Sequence, residues 1–323
     1  MNKLFLSIII LISYAKVGLA QNNDVPISAI EKKSIQTKYD LDQSSTLSTR
    51  VTKTPTDVLK DFSGVTVLPK EHPLTAKEQE IVDQAFAILP TFTKKVLKNH
   101  LQGISFLDNM PNTALTSPVD TESYRIYHIT IRAAILKQTV SEWLTEKEHT
   151  CFDTSGSKLT LSVVGGKLNA LVYVLLHEST HIVDGSLGMF NQSQLIADNP
   201  WRAAGSRFAG GVWIDRTSFV PAVQDTLILK NHFRRGPPMK LERAVQAYQA
   251  LATLPLVSFY STASWNEDLA EYVAISYLTQ RLHQPFKVTI SQNGTEIFRF
   301  DPMHSQNVKS RNQIMEIFNK KKS

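Results

Sequence analysis

A run of apolar residues that ends in two histidines most constrains how this chain can fold. Residues 171–176 are apolar, and His177-Glu178-Ser179-Thr180-His181 follow them directly. A helix that is apolar all round is typical of a buried central helix. Because positions i and i+4 lie on one helix face, His177 and His181 can point both imidazoles at one metal ion. Glu178 is rotated by about 100° along the helix, so it lies beside that ion and does not bind it.

Two histidines and a glutamate are costly to bury unless each side chain has a partner. The alternative is an accidental match, in which an ordinary amphipathic helix turns two histidines toward solvent. The apolar residues before His177 argue against that helix. A metal ion satisfies all three side chains, and H-E-x-x-H on a helix is typical of zinc sites. The sequence therefore predicts Zn²⁺ bound by His177 and His181, with Glu178 as the general base for a metal-bound water.

A catalytic zinc usually keeps three protein ligands and one open position for water. In the metzincin pattern H-E-x-x-H-x-x-G-x-x-H, the third ligand is a histidine six residues after the second. Here Asp184 occupies the position of the glycine and Leu187 that of the histidine. The metzincin pattern is therefore excluded, and a carboxylate from a later helix is the other option.

The segment 264–274 provides such a carboxylate. Ser264 and Glu267 have the spacing of a capping box, which predicts the start of a helix. Glu267 and Glu271 are i and i+4, so they share one face of that helix. We expect Glu267 to be the third metal ligand and Glu271 to accept the free N–H of a ligand histidine. The alternative is a solvated acidic helix face.

The pair of segments 177–181 and 266–271 resembles the gluzincin group of zinc metallopeptidases, which combine H-E-x-x-H with a downstream glutamate. The resemblance covers two short helices and implies a zincin-like catalytic core, Zn²⁺ as cofactor and a peptide or protein substrate. The separation of 86 residues (267 − 181) is longer than in the thermolysin-like and aminopeptidase-like members. No family within the group is therefore assigned. Two alternatives stay open: a catalytically silent zincin-fold binding protein, and a zinc hydrolase of a non-peptide amide.

Gluzincins often supply a downstream histidine or tyrosine that stabilises negative charge on the attacked carbonyl. Two candidates for this catalytic role are Tyr260 and His304, the latter because it follows a predicted hairpin. Tyr272 and His283 are further candidates, and a structural role is the alternative for all four. The predicted strand 124–131 is a candidate edge for binding an extended peptide.

The N-terminal residues predict export. Met1-Asn2-Lys3, a short apolar run from 4 to 14, and Gly18 and Ala20 are typical of a secretory signal peptide over residues 1–20. The apolar run is too short to span a bilayer, although an uncleaved anchor is the alternative. We expect a secreted or periplasmic protein with no membrane span after cleavage.

The remaining chain predicts one α+β domain, mainly helical, with a small antiparallel sheet. Residues 21–60 are polar with little periodicity, which predicts a flexible tail or linker, with a pro-segment as the alternative. Residues 61–323 are predicted to form the zincin-like domain. Its clearest local signals are the capping box at Thr75, the strand 159–164 and the Asn-Gly turn of a hairpin at 293–294.

Charge and cysteine content limit the possible partners. The net charge is +6, from 35 basic and 29 acidic residues, which is typical of a basic soluble surface. Export and the absence of a nucleic-acid recognition motif disfavour a nucleic-acid partner.

Cys151 is the only cysteine, so no intramolecular disulfide can form. A buried structural thiol is expected, with a nucleophile paired with His149 as the alternative. The oligomeric state is unknown from sequence.

Overall fold

The computed structural model describes residues 35–120, 125–190, 200–230, 233 and 236–319. Of the residues described, 48% are helix and 19% are strand in small sheets, which confirms the predicted α+β class. The predicted signal peptide, residues 1–20, lies outside the described residues. None of the helices in the described ranges is both long enough and apolar enough to cross a membrane.

Helices and strands are interspersed along the chain. The α-helices are α1 (Thr56–Lys60), α2 (Ala76–Ile88), α3 (Thr91–His100), α4 (Val140–His149), α5 (Ala170–Leu187), α6 (Pro200–Ala209), α7 (Thr226–Lys230), α8 (Ala244–Ala252), α9 (Trp265–Gln280), α10 (Gln306–Lys309) and α11 (Met315–Phe318). The strands are β1 (Lys70–Glu71), β2 (Leu101–Asp108), β3 (Ala114–Asp120), β4 (Ile126–Arg132), β5 (Phe152–Asp153), β6 (Leu159–Val164), β7 (Met239–Lys240), β8 (Lys287–Gln292) and β9 (Thr295–Phe300). Short 3-10 turns cover Leu47–Thr49, Ala133–Lys137, Leu241–Arg243, Tyr260–Thr262, Pro302–His304 and Asn312–Ile314.

The two helices predicted to carry the site pack against each other in the core. Helix α5 begins at its N-cap Asn169 and ends at Gly188, whose φ of 65° lies in the left-handed region that favours glycine. Residues 170–177 of α5 are buried, as the apolar run predicted. Helix α9 begins at Ser264, whose side chain accepts the backbone N–H of Glu267. Because α9 is also buried along most of its length, its acidic residues need partners inside the protein.

A mixed sheet of four strands lies beside α5, in the order β1-β2-β4-β3. Strand β4 pairs in parallel with β2 and antiparallel with β3. The sequence predicted that the strand at 124–131 forms a free edge, and this is wrong because β4 is an inner strand. Among the strands of the described ranges, the one with a free edge next to α5 is β3, which the sequence did not predict.

A second sheet, β6-β8-β9, is antiparallel throughout and confirms the predicted hairpin. Asn293 and Gly294 have φ of 50° and 80°, and two positive φ values are typical of the type I′ turn that Asn-Gly favours. Helix α4 packs on β6 and connects this sheet to the central helix. Cys151, which follows α4, is buried as expected for a structural thiol.

The predicted flexible segment 21–60 extends too far toward the C-terminus, because its second half packs on the domain. From Leu41 onward the chain packs on the domain, and Leu41 and Leu47 are buried. The guanidinium of Arg50 donates to the backbone carbonyls of Leu97 and Leu101, at 3.3 and 2.6 Å, where helix α3 ends. A cation at a helix C-terminus binds carbonyls that lack partners within the helix, so a polar segment can be held firmly.

A buried ion pair fixes the C-terminal segment to α9. Both terminal nitrogens of Arg311 donate hydrogen bonds to the Asp268 carboxylate, and its Nε donates to the carbonyl of Phe208 at 3.0 Å. The indole of Trp213 donates to Asp268 at 2.9 Å. Removal of either charge would leave the other buried and unpaired, so the loss of Asp268 or Arg311 alone would destabilise the fold around the site.

A buried histidine in the mixed sheet predicts a loss of stability in acid. His128 lies on β4, its Nε2 is 2.9 Å from Oγ of Ser105, and burial lowers its pKa from 6.5 to about 4. In the unfolded chain His128 therefore becomes protonated near pH 6.5, whereas in the folded protein it becomes protonated only near pH 4. We expect His128 to lower the free energy of unfolding as pH falls through this window, by on the order of 3 kcal/mol in total.

The measurement is urea denaturation of the wild type and of His128→Gln at pH 7 and pH 4.5. The variant should lose less stability than the wild type between these two pH values. Equal losses in both proteins would contradict the prediction. The comparison of two proteins cancels the contributions of other titrating groups, which the substitution leaves in place.

Candidate metal centre

Three side chains from α5 and α9 converge at one point in the core. His177 and Glu267 are buried and His181 is half-buried. Nε2 of His177 lies 3.0 Å from Oε2 of Glu267 and 3.2 Å from Nε2 of His181. Nε2 of His181 lies 3.4 Å from the same Glu267 oxygen. The long segment between His181 and Glu267 therefore returns the chain to the same place.

The geometry of this group fits a metal ion. Ligand atoms at 2.0–2.2 Å from a tetrahedral Zn²⁺ lie about 3.3 Å from one another, and the three distances here are close to that value. Two imidazoles and one carboxylate are also a common donor set for a catalytic metal with one open position. His177, His181 and Glu267 could thus bind a metal ion together.

The charges around the site favour a cation even before a metal binds. Burial acts to lower the pKa of His177, but the carboxylates of Glu267 and Glu271 outweigh it and raise that pKa to about 10. Burial acts to raise the pKa of Glu267, but His181 and His177 outweigh it and hold the pKa far below its usual range. A cation that displaces these protons would meet the same attraction, since metal binding to such groups releases protons.

Glu178, the predicted base, is held from the edge strand. The hydroxyl of Thr116 on β3 donates to Oε2 of Glu178 at 2.6 Å. Glu178 lies on α5 beside His177, and it is partly exposed rather than buried. The carboxylate therefore lies against the edge strand β3, on the residue that follows the candidate ligand His177.

Glu271 lies behind His177. Its Oε1 is 3.1 Å from Nδ1 of His177, the nitrogen that faces away from the ligand group. Tyr173 and Lys147 also donate to Oε1, both at 2.9 Å, and Ser258 donates to Oε2 at 2.6 Å. A carboxylate in this position can hold the orientation and tautomer of a ligand imidazole.

Of the four candidates for stabilising the attacked carbonyl, Tyr260 is the one in contact with the ligands. Its ring stacks on His177 with centroids 5.5 Å apart and planes inclined by 7°. Burial, followed by the charges of Glu267 and Glu178, raises the pKa of Tyr260 well above 10. The phenol therefore keeps its proton near neutral pH and can donate a hydrogen bond.

The other three candidates make different contacts. His304 is 81% exposed and its Nδ1 lies 2.8 Å from Asp301. In the part of the chain that the structure describes, no hydrogen bond or ion pair joins His304 to the ligands. Tyr272 donates to the carbonyl of Val308, and His283 is exposed.

Thr116 and Lys147 are the site residues that sequence reasoning missed. Thr116 lies in a strand whose Thr-Ser-Pro sequence gave no clear strand pattern. Lys147 carried a usable signal, because Val140, Trp143 and Leu144 occupy the same face of α4 and are all buried. A lysine seven residues after Val140 falls on that apolar face, which indicates a buried cation.

The chain matches no family model, and neither a curated protein nor a solved structure is found to match it. The site itself is therefore the basis for inferring function. It combines three converging side chains that could bind a metal ion, a carboxylate on the neighbouring residue and a protonated phenol, and these groups suit the activation of water against a carbonyl.

The ligand assignment predicts that metal binding depends on Glu267. The wild type should hold about one metal ion per chain, and Glu267→Ala should lose it, because two imidazoles alone bind far more weakly. His304→Ala is the matched control and should keep the metal. Asp268→Ala is unsuitable as a control, since it breaks the pair with Arg311.

Bound metal can be measured by plasma mass spectrometry after dialysis and by the rise of the melting temperature on zinc addition. Equal metal content in Glu267→Ala and the wild type would contradict the assignment. Loss of metal in His304→Ala but not in Glu267→Ala would contradict it as well.

Proposed function

We propose that this protein is an exported zinc metallopeptidase of gluzincin type, which hydrolyses peptide bonds with a metal-activated water. The observation that carries the proposal is the convergence of His177, His181 and Glu267 on one point, with Glu178 beside them. Export rests on the signal-peptide pattern of residues 1–20.

Zn²⁺ is the metal in this proposal, because two histidines of an H-E-x-x-H helix and one carboxylate at tetrahedral spacing are typical of catalytic zinc. His177, His181 and Glu267 would hold the ion, and Glu271 would keep the imidazole of His177 oriented. When bound, the ion acts as a Lewis acid that polarises the substrate carbonyl and lowers the pKa of water toward about 7.

Glu178 moves the proton in this proposal. Its carboxylate takes a proton from the attacking water and later delivers it to the leaving amine. The hydroxyl of Thr116 holds Oε2 of Glu178, which leaves Oε1 to exchange the proton. A base held from outside its own helix keeps its position while the substrate binds.

Tyr260 stabilises the charge that develops on the carbonyl oxygen. Its ring lies flat against His177, so its position is tied to that of a metal ligand. A buried phenol that keeps its proton can donate to an oxygen whose charge grows during the reaction. A donor of this kind acts mainly on the transition state, so its removal is expected to lower kcat more than it changes KM.

The free edge of β3 favours an extended peptide as substrate. The amide of Arg132 donates to the carbonyl of Thr113, and alternate residues of an antiparallel strand face opposite sides. The backbone groups of Ala114 and Thr116 therefore point to the free edge, where an extended peptide can add as a further strand. The backbone of Pro118 faces the same edge but has no N–H to donate. A peptide added to this edge would therefore form fewer hydrogen bonds beyond Thr116.

Substitution of the base should separate chemistry from metal binding. In Glu178→Gln we expect bound zinc to stay near the wild-type level while peptide cleavage falls by about 10²–10⁴-fold, the usual contribution of a general base. The assay is a peptide library incubated with zinc-loaded wild type and variant, with products read by mass spectrometry.

The same assay distinguishes the alternatives. A wild type that holds zinc tightly yet cleaves no peptide or unfolded protein would contradict the peptidase and favour a silent binding protein. Turnover of simple amides without turnover of peptides would favour a hydrolase of another substrate class.

Tyr260→Phe tests the role of the phenol. We expect kcat to fall by about 10²–10³-fold, the usual cost of removing one donor to the developing charge, with KM changed by less than about threefold. Bound zinc should be unchanged, since the ring remains. Steady-state kinetics on the best peptide measure the effect, and a variant with wild-type kcat would exclude Tyr260 from the mechanism.

A further inference from the structure

Lys147 is a buried cation beside the metal centre that the mechanism above does not use. Its residue is only 7% exposed, on the apolar face of α4. A lysine is rarely buried to this extent unless its charge is paired. The contacts of its ammonium group therefore indicate its role.

The ammonium binds the oxygen of Glu271 that faces a metal ligand. Nζ of Lys147 lies 2.9 Å from Oε1 of Glu271, and the same oxygen is 3.1 Å from Nδ1 of His177. Tyr173 donates a neutral O–H to this oxygen at 2.9 Å. The position of Oε1, and with it the orientation of His177, thus depends on one charged donor and one neutral donor.

The same ammonium lies over the ring of Tyr260. Nζ is 4.5 Å from the ring centroid, and that ring stacks on His177. A cation over an aromatic face attracts the ring electrostatically, most strongly when both groups are removed from water. Lys147 therefore contacts both groups that lie against His177, the carboxylate of Glu271 and the ring of Tyr260.

A purely structural ion pair between α4 and α9 is the competing explanation. Buried ion pairs contribute little net stability, because removal of both charges from water costs about as much as their attraction returns. A pair retained for stability has no need to contact two groups of the catalytic centre. The two contacts together favour a role in positioning.

We propose that Lys147 is a positioning residue of the metal centre, which holds Glu271 against His177 and holds the ring of Tyr260 in place. This inference rests on the proposed function, since it assigns Tyr260 and His177 their catalytic and metal-binding roles. Lys147 itself touches neither the metal ligands' donor atoms nor the substrate in this proposal.

Lys147→Met is the test, because methionine keeps most of the length and an apolar stem but removes the charge. We expect the affinity for zinc to fall by about 10-fold, within the range measured for partners of ligand residues. We also expect kcat to fall by about 10-fold or more, with KM within about threefold, because the phenol acts on the transition state. Lys147→Arg, which restores a cation, should recover part of both losses.

Tyr173→Phe is the matched control. It removes a neutral donor from the same Glu271 oxygen but leaves the charge and the contact with Tyr260. Its effects on zinc affinity and kcat should both be smaller than those of Lys147→Met. If Lys147→Met does not fold, Lys147→Gln replaces it, since glutamine also lacks the charge.

The double variant with Tyr260→Phe separates positioning from general destabilisation. If Lys147 acts through the phenol, Lys147→Met should lower kcat by less than about threefold once the phenol is gone, since effects that share a partner are not additive. Zinc affinity is measured by competition with a chelator, and kcat on the same peptide in all variants.

Equal effects of Lys147→Met and Tyr173→Phe, or full multiplication of the kcat losses in the double variant, would overturn the positioning role and leave the peptidase intact. A wild type that binds zinc but cleaves nothing would overturn the proposed function. The zinc affinities of Lys147→Met and Tyr173→Phe would still test whether Lys147 holds Glu271 against His177. A wild type without zinc affinity overturns both.

Discussion

The contact of His177 with two carboxylates of α9 is the interaction on which the rest of the structure depends. Both helices are buried, so an imidazole on one and carboxylates on the other would be costly if either were alone. A Glu267 oxygen lies 3.0 Å from Nε2 of His177 and a Glu271 oxygen lies 3.1 Å from Nδ1, so each nitrogen has a carboxylate oxygen close to it. This contact helps to set the register between α5 and α9, and that register brings together the three side chains that could bind a metal ion.

The acidic residues of α9 illustrate how a buried helix can carry several charges. Glu267 faces the histidines of α5, Asp268 pairs with Arg311, and Glu271 pairs with Lys147. Adjacent helix positions differ by about 100°, so Asp268 points away from the face that Glu267 and Glu271 share. Each carboxylate therefore meets a cation from a different part of the chain. The three partners join α4, α5 and the C-terminal segment to one helix, so three separate parts of the chain support the site.

Local signals in the sequence predicted much of this arrangement, and contacts between distant segments were harder to predict. The buried helix before His177 and the cap at Ser264 are properties of short segments, and both are confirmed. Arg50 shows the limit, because its polar surroundings suggested a flexible tail while its partners are carbonyls of α3. Thr116 shows the same limit, since nothing near it in the sequence indicates that Glu178 lies opposite. Pairing across the fold depends on tertiary packing, which periodicity and capping do not encode.

The edge strand couples substrate binding to the base in the proposed mechanism. Thr116 turns its backbone groups to the free edge of β3, while its hydroxyl binds Glu178 on the perpendicular face. A peptide that adds to this edge would therefore hydrogen-bond to the residue that holds the carboxylate. Its scissile bond would lie close to the ligands, because Glu178 is adjacent to His177 in α5. A small amide makes no such ladder and would bind through the metal and Tyr260 alone. Binding energy from an extended backbone can instead be used to align the reacting carbonyl, and this favours a peptide over a small amide as the substrate.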